Sequence, residues 1–257
     1  MNEILQFKDV ALNYQSVSGE ISAIDTLNFS VSESEFVSFI GPSGCGKTTV
    51  LSLIAGLLKP SRGSITLDGE LVEKPSQNIG YMLQSDQLFP WRTIYQNVCL
   101  GLEIRRTKTR ENLEHIDSLL HKYGLWDFRN KLPSQLSGGM RQRVALIRTL
   151  ALKPKLLLLD EPFSALDYQT RLRVCDDVYS ILCSEKKTAV FVTHDIAESI
   201  SMSDRVYVLS ARPATIKSVY PIAHRSYGTP LKRREHPAFG SLFEKIYGEI
   251  VDGQTED

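Results

Sequence analysis

The sequence predicts an α/β fold with a mainly parallel central sheet, an antiparallel β lobe and a helical lobe. Three observations predict this fold. A short apolar run at residues 36–40 leads into a glycine-rich turn, and a helical pattern begins at Thr48. Apolar runs typical of buried strands alternate with amphipathic helical stretches between residues 155 and 209. A mostly helical stretch of about residues 92–150 separates these halves and predicts a second lobe.

The N-terminal segment alternates between apolar and polar residues. Apolar side chains recur over residues 4–12 and again over residues 21–31, and residues 15–20 favour a turn. Such alternation is typical of strands with one buried and one solvated face. We therefore expect two antiparallel strands ahead of the buried strand at residues 36–40.

The inserted stretch has helical periodicity. Apolar side chains three and four positions apart are Leu113, Ile116, Leu119, Leu120 and Tyr123. Residues 131–139 favour a loop, and residues 144–152 predict a helix. That helix should end before Pro154, because proline cannot continue it.

The C-terminal half alternates between strand and helix. Residues 155–160 include four consecutive leucines and predict a buried strand. The helix after it has an apolar face made of Leu172, Cys175, Val178 and Leu182. Further strands are expected at residues 188–193 and 205–209.

The composition changes beyond residue 210. In residues 212–236, basic side chains are opposed by Glu235 alone and prolines interrupt the run. A charge run of this kind predicts a solvated loop, with a contact to anionic lipid headgroups as the alternative. An amphipathic helix is expected over residues 239–250. The basic residues are Arg212, Lys217, Arg225, Lys232, Arg233 and Arg234.

The overall composition is that of a folded globular chain. The 257 residues are 42% apolar and 23% charged, and 30 basic residues balance 30 acidic ones. Zero net charge argues against a surface built for nucleic acid. Neither a membrane-spanning run nor a secretory signal pattern is expected. The four cysteines form no CxxC pair, so we expect no zinc site or disulfide framework and a reducing cytoplasmic compartment.

Residues 41–48 match the pattern GxxxxGK[ST] at every fixed position, between an apolar strand and a helix. Glycines let backbone N–H groups approach phosphate oxygens, and the helix N-terminus adds unpaired donors. Lys47 supplies positive charge for the β- and γ-phosphates, and the Thr48 hydroxyl is suited to Mg²⁺. The segment therefore predicts binding of a nucleoside triphosphate. It consists of Gly41, Pro42, Ser43, Gly44, Cys45, Gly46, Lys47 and Thr48.

Cys45 lies within this loop, beside the predicted helix N-terminus. That position tends to lower the pKa of a thiol. A small filler side chain is the simpler role for Cys45. We nevertheless expect its alkylation to block nucleotide binding, and bound MgATP to protect it.

Two further motifs are a helix start suited to binding anions and an acidic strand end. Ser137 is a good N-cap and is followed by Gly138 and Gly139, so a second helix start has anion-binding character. The strand of leucines ends in Asp160 and Glu161. A carboxylate at a strand end beside a phosphate loop is suited to Mg²⁺, and its neighbour can orient or deprotonate water.

These motifs, in this order, resemble the ATP-binding subunit of an ATP-binding-cassette (ABC) transporter over most of the chain. Residues 137–139 are similar to the family signature, and residues 164–167 are similar to its D-loop. His194 resembles the switch histidine. Gln84 stands where the Q-loop glutamine is found, and Tyr14 resembles the aromatic residue that stacks on adenine.

The resemblance implies an ABC ATPase core of the P-loop type. It implies one ATP-binding domain over residues 1–257, with a helical lobe inserted at about 92–150 and a C-terminal extension at about 212–257. Met140 stands where the commonest signature has glutamine. A hydrogen bond from that amide is therefore not expected here.

The resemblance also implies a head-to-tail homodimer. Each ATP would lie between the phosphate loop of one chain and residues 137–139 of the other, and Asp167 would act across the dimer. The residues implied to contact ATP are Tyr14, Gly41, Pro42, Ser43, Gly44, Cys45, Gly46, Lys47, Thr48, Thr49, Gln84, Ser137, Gly138, Gly139 and Asp167.

Hydrolysis of ATP follows from the same resemblance. Glu161 would polarise the attacking water, His194 would contact the γ-phosphate, and Lys47 would stabilise its charge. The residues implied to hold Mg²⁺ are Thr48, Gln84 and Asp160.

An aromatic loop follows Gln84 and contains Leu88, Phe89, Pro90 and Trp91. In the family this region receives the coupling helix of a membrane permease. The resemblance therefore implies a peripheral position on the cytoplasmic face of the membrane, with a solute-binding protein as an indirect partner.

The aromatic loop, residues 210–213 and the signature together resemble importers of nitrate, sulfonates, taurine or pyrimidine precursors. Two alternatives stay open: a P-loop small-molecule kinase and the ABC ATPase of an exporter. Soluble ABC ATPases of DNA repair or the ribosome fit less well, because the former carry long coiled coils and the latter two cassettes.

Overall fold

The structure is a computed structural model that describes residues 2–16, 19–223 and 227–252. Its strands are β1 Glu3–Ser16, β2 Gly19–Ser32, β3 Phe36–Ile40, β4 Arg62–Leu67, β5 Glu70–Leu71, β6 Ile79–Met82, β7 Leu156–Asp160, β8 Thr188–Val192, β9 Arg205–Leu209 and β10 Ile216–Pro221. Its α-helices are α1 Lys47–Ile54, α2 Ile94–Val98, α3 Leu100–Arg105, α4 Arg110–Lys122, α5 Gly138–Leu150, α6 Tyr168–Ser184, α7 Ile196–Met202, α8 Pro230–Arg233 and α9 Pro237–Asp252.

The two long N-terminal strands form an antiparallel sheet, as the alternating pattern predicts. Its strand order is β2-β1-β4-β5, and β1 pairs with both β2 and β4. The inward face buries aromatic side chains, including the stacked rings of Phe7 and Phe29 with centroids 4.3 Å apart. Strands β4 and β5 were not anticipated from the sequence.

The second sheet is the mainly parallel one. Its order is β10-β9-β3-β8-β7-β6, with every pair parallel except β10 against β9. All five residues of β3, β7 and β8 are buried, which explains their continuous apolar runs. The predicted α/β fold class is confirmed.

The faces of this sheet belong to different cores. Leu157 and Leu159 of β7 pack into a cluster with helices of the inserted stretch, whereas Leu156 and Leu158 pack into a cluster with α1 and the antiparallel sheet. Successive strand residues point to opposite faces, so one run of leucines serves both cores. The sheet thereby holds the helical and antiparallel parts on either side of itself.

Two helix boundaries differ from the sequence prediction. The apolar pattern predicted a helix over residues 144–152, whereas α5 spans Gly138–Leu150 and begins at the cap predicted separately: Ser137 accepts a hydrogen bond from the backbone N–H of Met140 at 3.3 Å. The helix expected from Thr48 to residue 57 is α1, which begins at Lys47 and ends at Ile54. Apolar periodicity alone misses the first turn of α5, which has few apolar residues.

The prediction of a solvated loop over residues 212–236 is wrong. Strand β10 and helix α8 form there, and the side chain of Arg233 is fully buried. Its guanidinium donates to the carbonyls of Gly228 and Ser201, each at 3.0 Å, and to the hydroxyl of Tyr179. These acceptors offset the cost of removing the charge from water. Arg225 lies outside the described residues.

Across residues 2–16, 19–223 and 227–252, no helix is both long enough and apolar enough to cross a membrane.

Candidate ATP-binding site

The site residues follow the carboxyl ends of parallel strands. The phosphate loop comes after β3, and Gln84 lies two residues beyond β6. Glu161 comes directly after β7, and His194 lies two residues beyond β8. Because these ends meet at one edge of the sheet, residues distant in sequence come together there.

The phosphate loop has the backbone that its glycines permit. Gly44 and Gly46 have φ values of 76° and 116°, in the left-handed region that favours glycine. A Cβ on Gly41 would lie 2.9 Å from the carbonyl oxygen of Leu209. A side chain at Gly41 would therefore displace the loop from β9.

Lys47 occupies the centre of the phosphate loop. Its ammonium donates to the carbonyls of Gly41 and Pro42, both at 2.8 Å, and the side chain is only 8% exposed. The backbone carbonyls of the loop thus hold the Lys47 ammonium inside the turn. This position suits the charge for binding phosphate oxygens.

Cys45 is enclosed within the phosphate loop, and the effect of its alkylation on nucleotide binding stays a prediction. Its side chain is 1% exposed, and its sulfur would lie 3.1 Å from a Cβ on Gly41. Burial raises the pKa of the thiol, which outweighs the lowering effect of Lys47. Cys45 is therefore a buried filler beneath the loop, and our expectation of a lowered pKa is wrong.

Asp160 ends β7 beside the start of α1. Its carboxylate accepts hydrogen bonds from the Thr48 hydroxyl at 3.3 Å and from the Tyr81 hydroxyl at 3.2 Å. Burial raises the pKa of Asp160, while these two donors lower it. Tyr81 was not anticipated from the sequence, where the available signal was a tyrosine in a short strand leading to Gln84.

Glu161 connects two of the predicted site residues. Its Oε2 accepts a hydrogen bond from Nε2 of Gln84 at 3.1 Å and lies 3.3 Å from Nδ1 of His194. The backbone of Glu161 has a φ of 43°, which a residue other than glycine rarely adopts. This turn directs the carboxylate away from the line of β7 and between the two neighbouring loops.

A cavity of about 610 Å³ opens beside the Asp160 carboxylate. Gln84 and Asp160 both line it, together with Ser164 and Ala165 of the segment similar to a D-loop. The cavity therefore lies between the acidic end of β7 and two separate loops, residues 83–87 and 164–165.

The second predicted anion site is the start of α5 at residues 137–139, and its contacts are to α5 and α6. Ser137 caps α5, and Asp167 caps α6 by accepting a hydrogen bond from the backbone N–H of Thr170 at 3.0 Å. A Cβ on Gly139 would lie 2.8 Å from a methyl carbon of Val174, so this glycine permits close packing of α5 on α6. Within the part of the chain that the structure describes, neither Ser137 nor Asp167 hydrogen-bonds to the phosphate loop.

Comparison with known proteins decides the family. Residues 24–164 match the family model described as ABC transporter. The chain belongs to the ABC transporter family. It is 47% identical over 247 residues to the uncharacterized ABC transporter ATP-binding protein YtlC of Bacillus subtilis (strain 168), covering 96% of this chain and 95% of YtlC.

Other relatives of this ABC cassette have more specific names. It is 40% identical to the nitrate import ATP-binding protein NrtD of Synechocystis sp., covering 98% of this chain and 97% of NrtD. It is 38% identical to the aliphatic sulfonates import ATP-binding protein SsuB of Bacillus cereus, covering 84% of each chain.

A solved structure shares the fold of this ABC cassette. The dimeric post-hydrolysis state of the ATP-binding cassette MJ0796, bound to ADP and Pi, is 31% identical with a TM-score of 0.71. The match covers 85% of this chain and 99% of that chain. The chain is an ATP-binding and ATP-hydrolysing cassette, and the family assignment argues against the small-molecule kinase alternative.

The aromatic loop of this ABC cassette divides into buried and exposed parts. Leu88 is 8% exposed and packs in the helical core, whereas Trp91 is 73% exposed. The rings of Phe89 and Trp91 lie 5.1 Å apart between centroids. Leu88 therefore anchors the loop, and the surface available to a partner is formed by residues 89–91.

Asn97 holds this loop from beneath and is fully buried. Its side-chain oxygen accepts from the backbone N–H of Phe89 at 2.7 Å. Its amide nitrogen donates to the carbonyls of Phe89, Arg92 and Thr93 at 3.0–3.1 Å. One side chain thus defines the shape of the loop, a role that no sequence pattern indicated.

Arginines of α5 contact the segment that follows Gln84. The guanidinium of Arg148 donates to the carbonyls of Asp86 and Gln87, both at 2.7 Å. Arg141 donates to the carboxylate of Asp86 at 3.0 Å. The helix that begins at the signature is therefore tied to the loop between the cavity and the aromatic surface.

The ring of Tyr14 is half-buried on β1, with the guanidinium carbon of Arg212 5.9 Å from its centroid. Its role at an adenine stays a prediction.

Proposed function

We propose that this cassette powers import of a small solute of the nitrate, sulfonate, taurine or pyrimidine-precursor class through a separate membrane permease. The observation that carries the proposed chemistry is the Glu161 carboxylate, held between Gln84 and His194 beside Asp160. Import is supported by the names of NrtD and SsuB, which specify import of nitrate and of aliphatic sulfonates. The exporter alternative has no such support.

Glu161 is the proposed base for the attacking water. A carboxylate held by two flanking side chains keeps further lone pairs with which it can orient water or accept its proton. His194 lies 3.3 Å from the same carboxylate and is exposed enough to reach a γ-phosphate. Lys47 would stabilise the charge that develops on the phosphate oxygens.

Mg²⁺ is the proposed cofactor of ATP. The Thr48 hydroxyl and the Asp160 carboxylate are hard oxygen donors 3.3 Å apart, and the amide of Gln84 lines the same cavity as Asp160. This donor set suits Mg²⁺, which takes its remaining ligands from phosphate and water. When bound, Mg²⁺ neutralises negative charge on the β- and γ-phosphates.

We further propose that ATP binds between two copies of the chain. The contacts of Ser137 and Asp167 lie within α5 and α6, which leaves the Ser137 helix start available to a nucleotide bound by another chain. The dimeric state of MJ0796 supports this arrangement. Residues 1–257 would then act as one ATP-binding domain, with residues 137–139 and 164–167 facing the partner.

The permease is proposed to dock on residues 89–91, which places the cassette at the cytoplasmic face of the membrane. Trp91 is a large apolar side chain exposed on a firmly held loop. Exposed aromatic side chains of this kind often anchor protein–protein interfaces. A solute-binding protein would deliver the solute to the permease and touch this chain only indirectly.

The solute class is tested by deleting the gene and measuring uptake of labelled nitrate, an alkanesulfonate, taurine and a pyrimidine precursor. We expect uptake of one of them to fall to background. A plasmid-borne wild-type copy should restore it, a Glu161→Gln copy should not, and a Glu244→Gln copy is the matched control on the exposed face of α9. Unchanged uptake of all four, with lost efflux of another compound, would favour the exporter.

Replacing Trp91 with alanine should remove co-purification of the permease while ATP binding persists. The change deletes the exposed ring but leaves the Asn97 contacts with the loop backbone intact. Leu71→Ala is the matched control, since Leu71 is also an exposed apolar residue, 62% exposed on the antiparallel sheet. Permease recovery equal to wild type with Trp91→Ala would contradict the docking assignment.

A further inference from the structure

Arg171 lies in the first turn of α6 and reaches two loops of the site. Its guanidinium donates to the carbonyl of Leu166, in the 164–167 loop, at 3.1 Å. The side chain is 22% exposed, so most of it is enclosed by protein. Leu166 itself lies beneath the second anion site, because a Cβ on Gly138 would sit 3.1 Å from its methyl carbon.

The other side of the same guanidinium faces the His194 loop, residues 193–195. Arg171 donates to the Asp195 carboxylate at 3.4 Å, and its Nε lies 3.8 Å from the Glu198 carboxylate. Asp195 caps α7 by accepting from the backbone N–H of Glu198 at 3.0 Å. Arg171 therefore contacts the residue directly after His194 and the helix that follows it.

Glu198 secures the remaining side of this loop. Its carboxylate accepts a hydrogen bond from the Thr193 hydroxyl at 2.7 Å and is 3% exposed. Burial raises the pKa of Glu198 to about 7, against the lowering effects of Thr193 and Arg171. His194 thus stands between two residues, Thr193 and Asp195, that are each held through the Arg171–Glu198 group.

We propose that Arg171 is a positioning residue that couples the two ATP sites of a dimer, by holding the 164–167 loop and the His194 loop in one arrangement. The proposal rests on the proposed function, in which His194 serves the chain's own ATP while Gly138 and Asp167 serve the partner's. The planar, forked guanidinium makes contacts in several directions and limits how these loops can shift relative to each other. A movement started at one nucleotide is therefore transmitted to the loop that serves the other.

The test compares Arg171→Gln and Arg171→Lys with Arg173→Gln, which changes an exposed arginine on the same helix. We expect Arg171→Gln to lower kcat roughly 10–100-fold through misplacement of His194, with the ATP dissociation constant within about twofold of wild type. The Hill coefficient for ATP should fall to about 1, because loss of coupling makes the sites independent. Arg171→Lys should recover part of kcat, and Arg173→Gln should match wild type.

Two results would overturn the assignment of Arg171. The first is an Arg171→Gln protein with wild-type kcat and Hill coefficient. The second is a parallel loss of kcat, ATP affinity and thermal stability in both Arg171 variants, which is the signature of a merely structural residue. A wild-type protein that neither dimerises with ATP nor shows cooperative hydrolysis would instead remove the proposed dimeric function on which the coupling depends.

Discussion

Replacing Glu161 with glutamine should lower ATP hydrolysis roughly 10²–10⁴-fold while ATP binding persists, as expected for loss of a general base. The amide preserves the shape of the side chain but removes its negative charge and most of its basicity. Lys47, Thr48 and Asp160 are unchanged, so the groups proposed to bind phosphate and Mg²⁺ remain. Steady-state hydrolysis and equilibrium binding of ATP measure the two effects separately.

The same Glu161→Gln protein should form a dimer that holds two ATP molecules. Stalled hydrolysis leaves each nucleotide bridging the phosphate loop of one chain and residues 137–139 of the other. Light scattering with ATP, with ADP and without nucleotide should show the dimer with ATP alone, and Glu244→Gln provides the control. A Glu161→Gln protein that stays monomeric at saturating ATP and hydrolyses at the wild-type rate would contradict both the base and the shared site.

Two inactive variants should restore each other's activity if the ATP sites are shared between chains. Lys47→Ala removes the phosphate-binding charge, and Ser137→Arg places a bulky charge at the second anion site. Each alone should lose about 100-fold or more of its hydrolysis, because Lys47→Ala leaves the phosphate charge without its stabilising ammonium and Ser137→Arg obstructs the shared site. In a mixed dimer, one site combines the intact phosphate loop of one chain with the intact Ser137 of the other.

An equal mixture should therefore recover about a quarter of wild-type hydrolysis, since half of the dimers are mixed and each has one of two sites intact. If both sites must act together, the mixture stays inactive but should trap one ATP per mixed dimer in a Glu161→Gln background. Failure of the mixture in both assays would show that each chain completes its own site.

The fold was predictable because its strongest signals are local. Continuous apolar runs predict strands buried on both faces, and the glycines of residues 41–48 predict a left-handed backbone that the structure contains. The contacts of Glu161 with Gln84 and His194 join residues up to 77 positions apart. The resemblance to the ABC family implied that these side chains belong to one site, but not which atoms meet.

What the sequence could not predict depends on long-range pairing. The buried position of Arg233 requires hydrogen-bond acceptors on Tyr179 and Ser201, which belong to two other helices. Because these partners are distant in sequence, the local pattern of basic residues predicted a solvated loop. Strand β5 has two residues and β6 has four, too few for a periodic pattern. The pKa of Cys45 is raised chiefly by burial within the packed loop. Its position near a helix N-terminus does not indicate how deeply the thiol is buried.

The Asn97 contacts also affect how this surface can diverge among related proteins. The hydrogen bonds between the Asn97 side chain and the loop all involve backbone atoms of Phe89, Arg92 or Thr93. The path of the loop is therefore largely independent of the side chains at positions 89–91. Substitutions at positions 89–91 can therefore change partner preference while the loop keeps its path. Partner recognition can evolve in this way without changes in the ATP site.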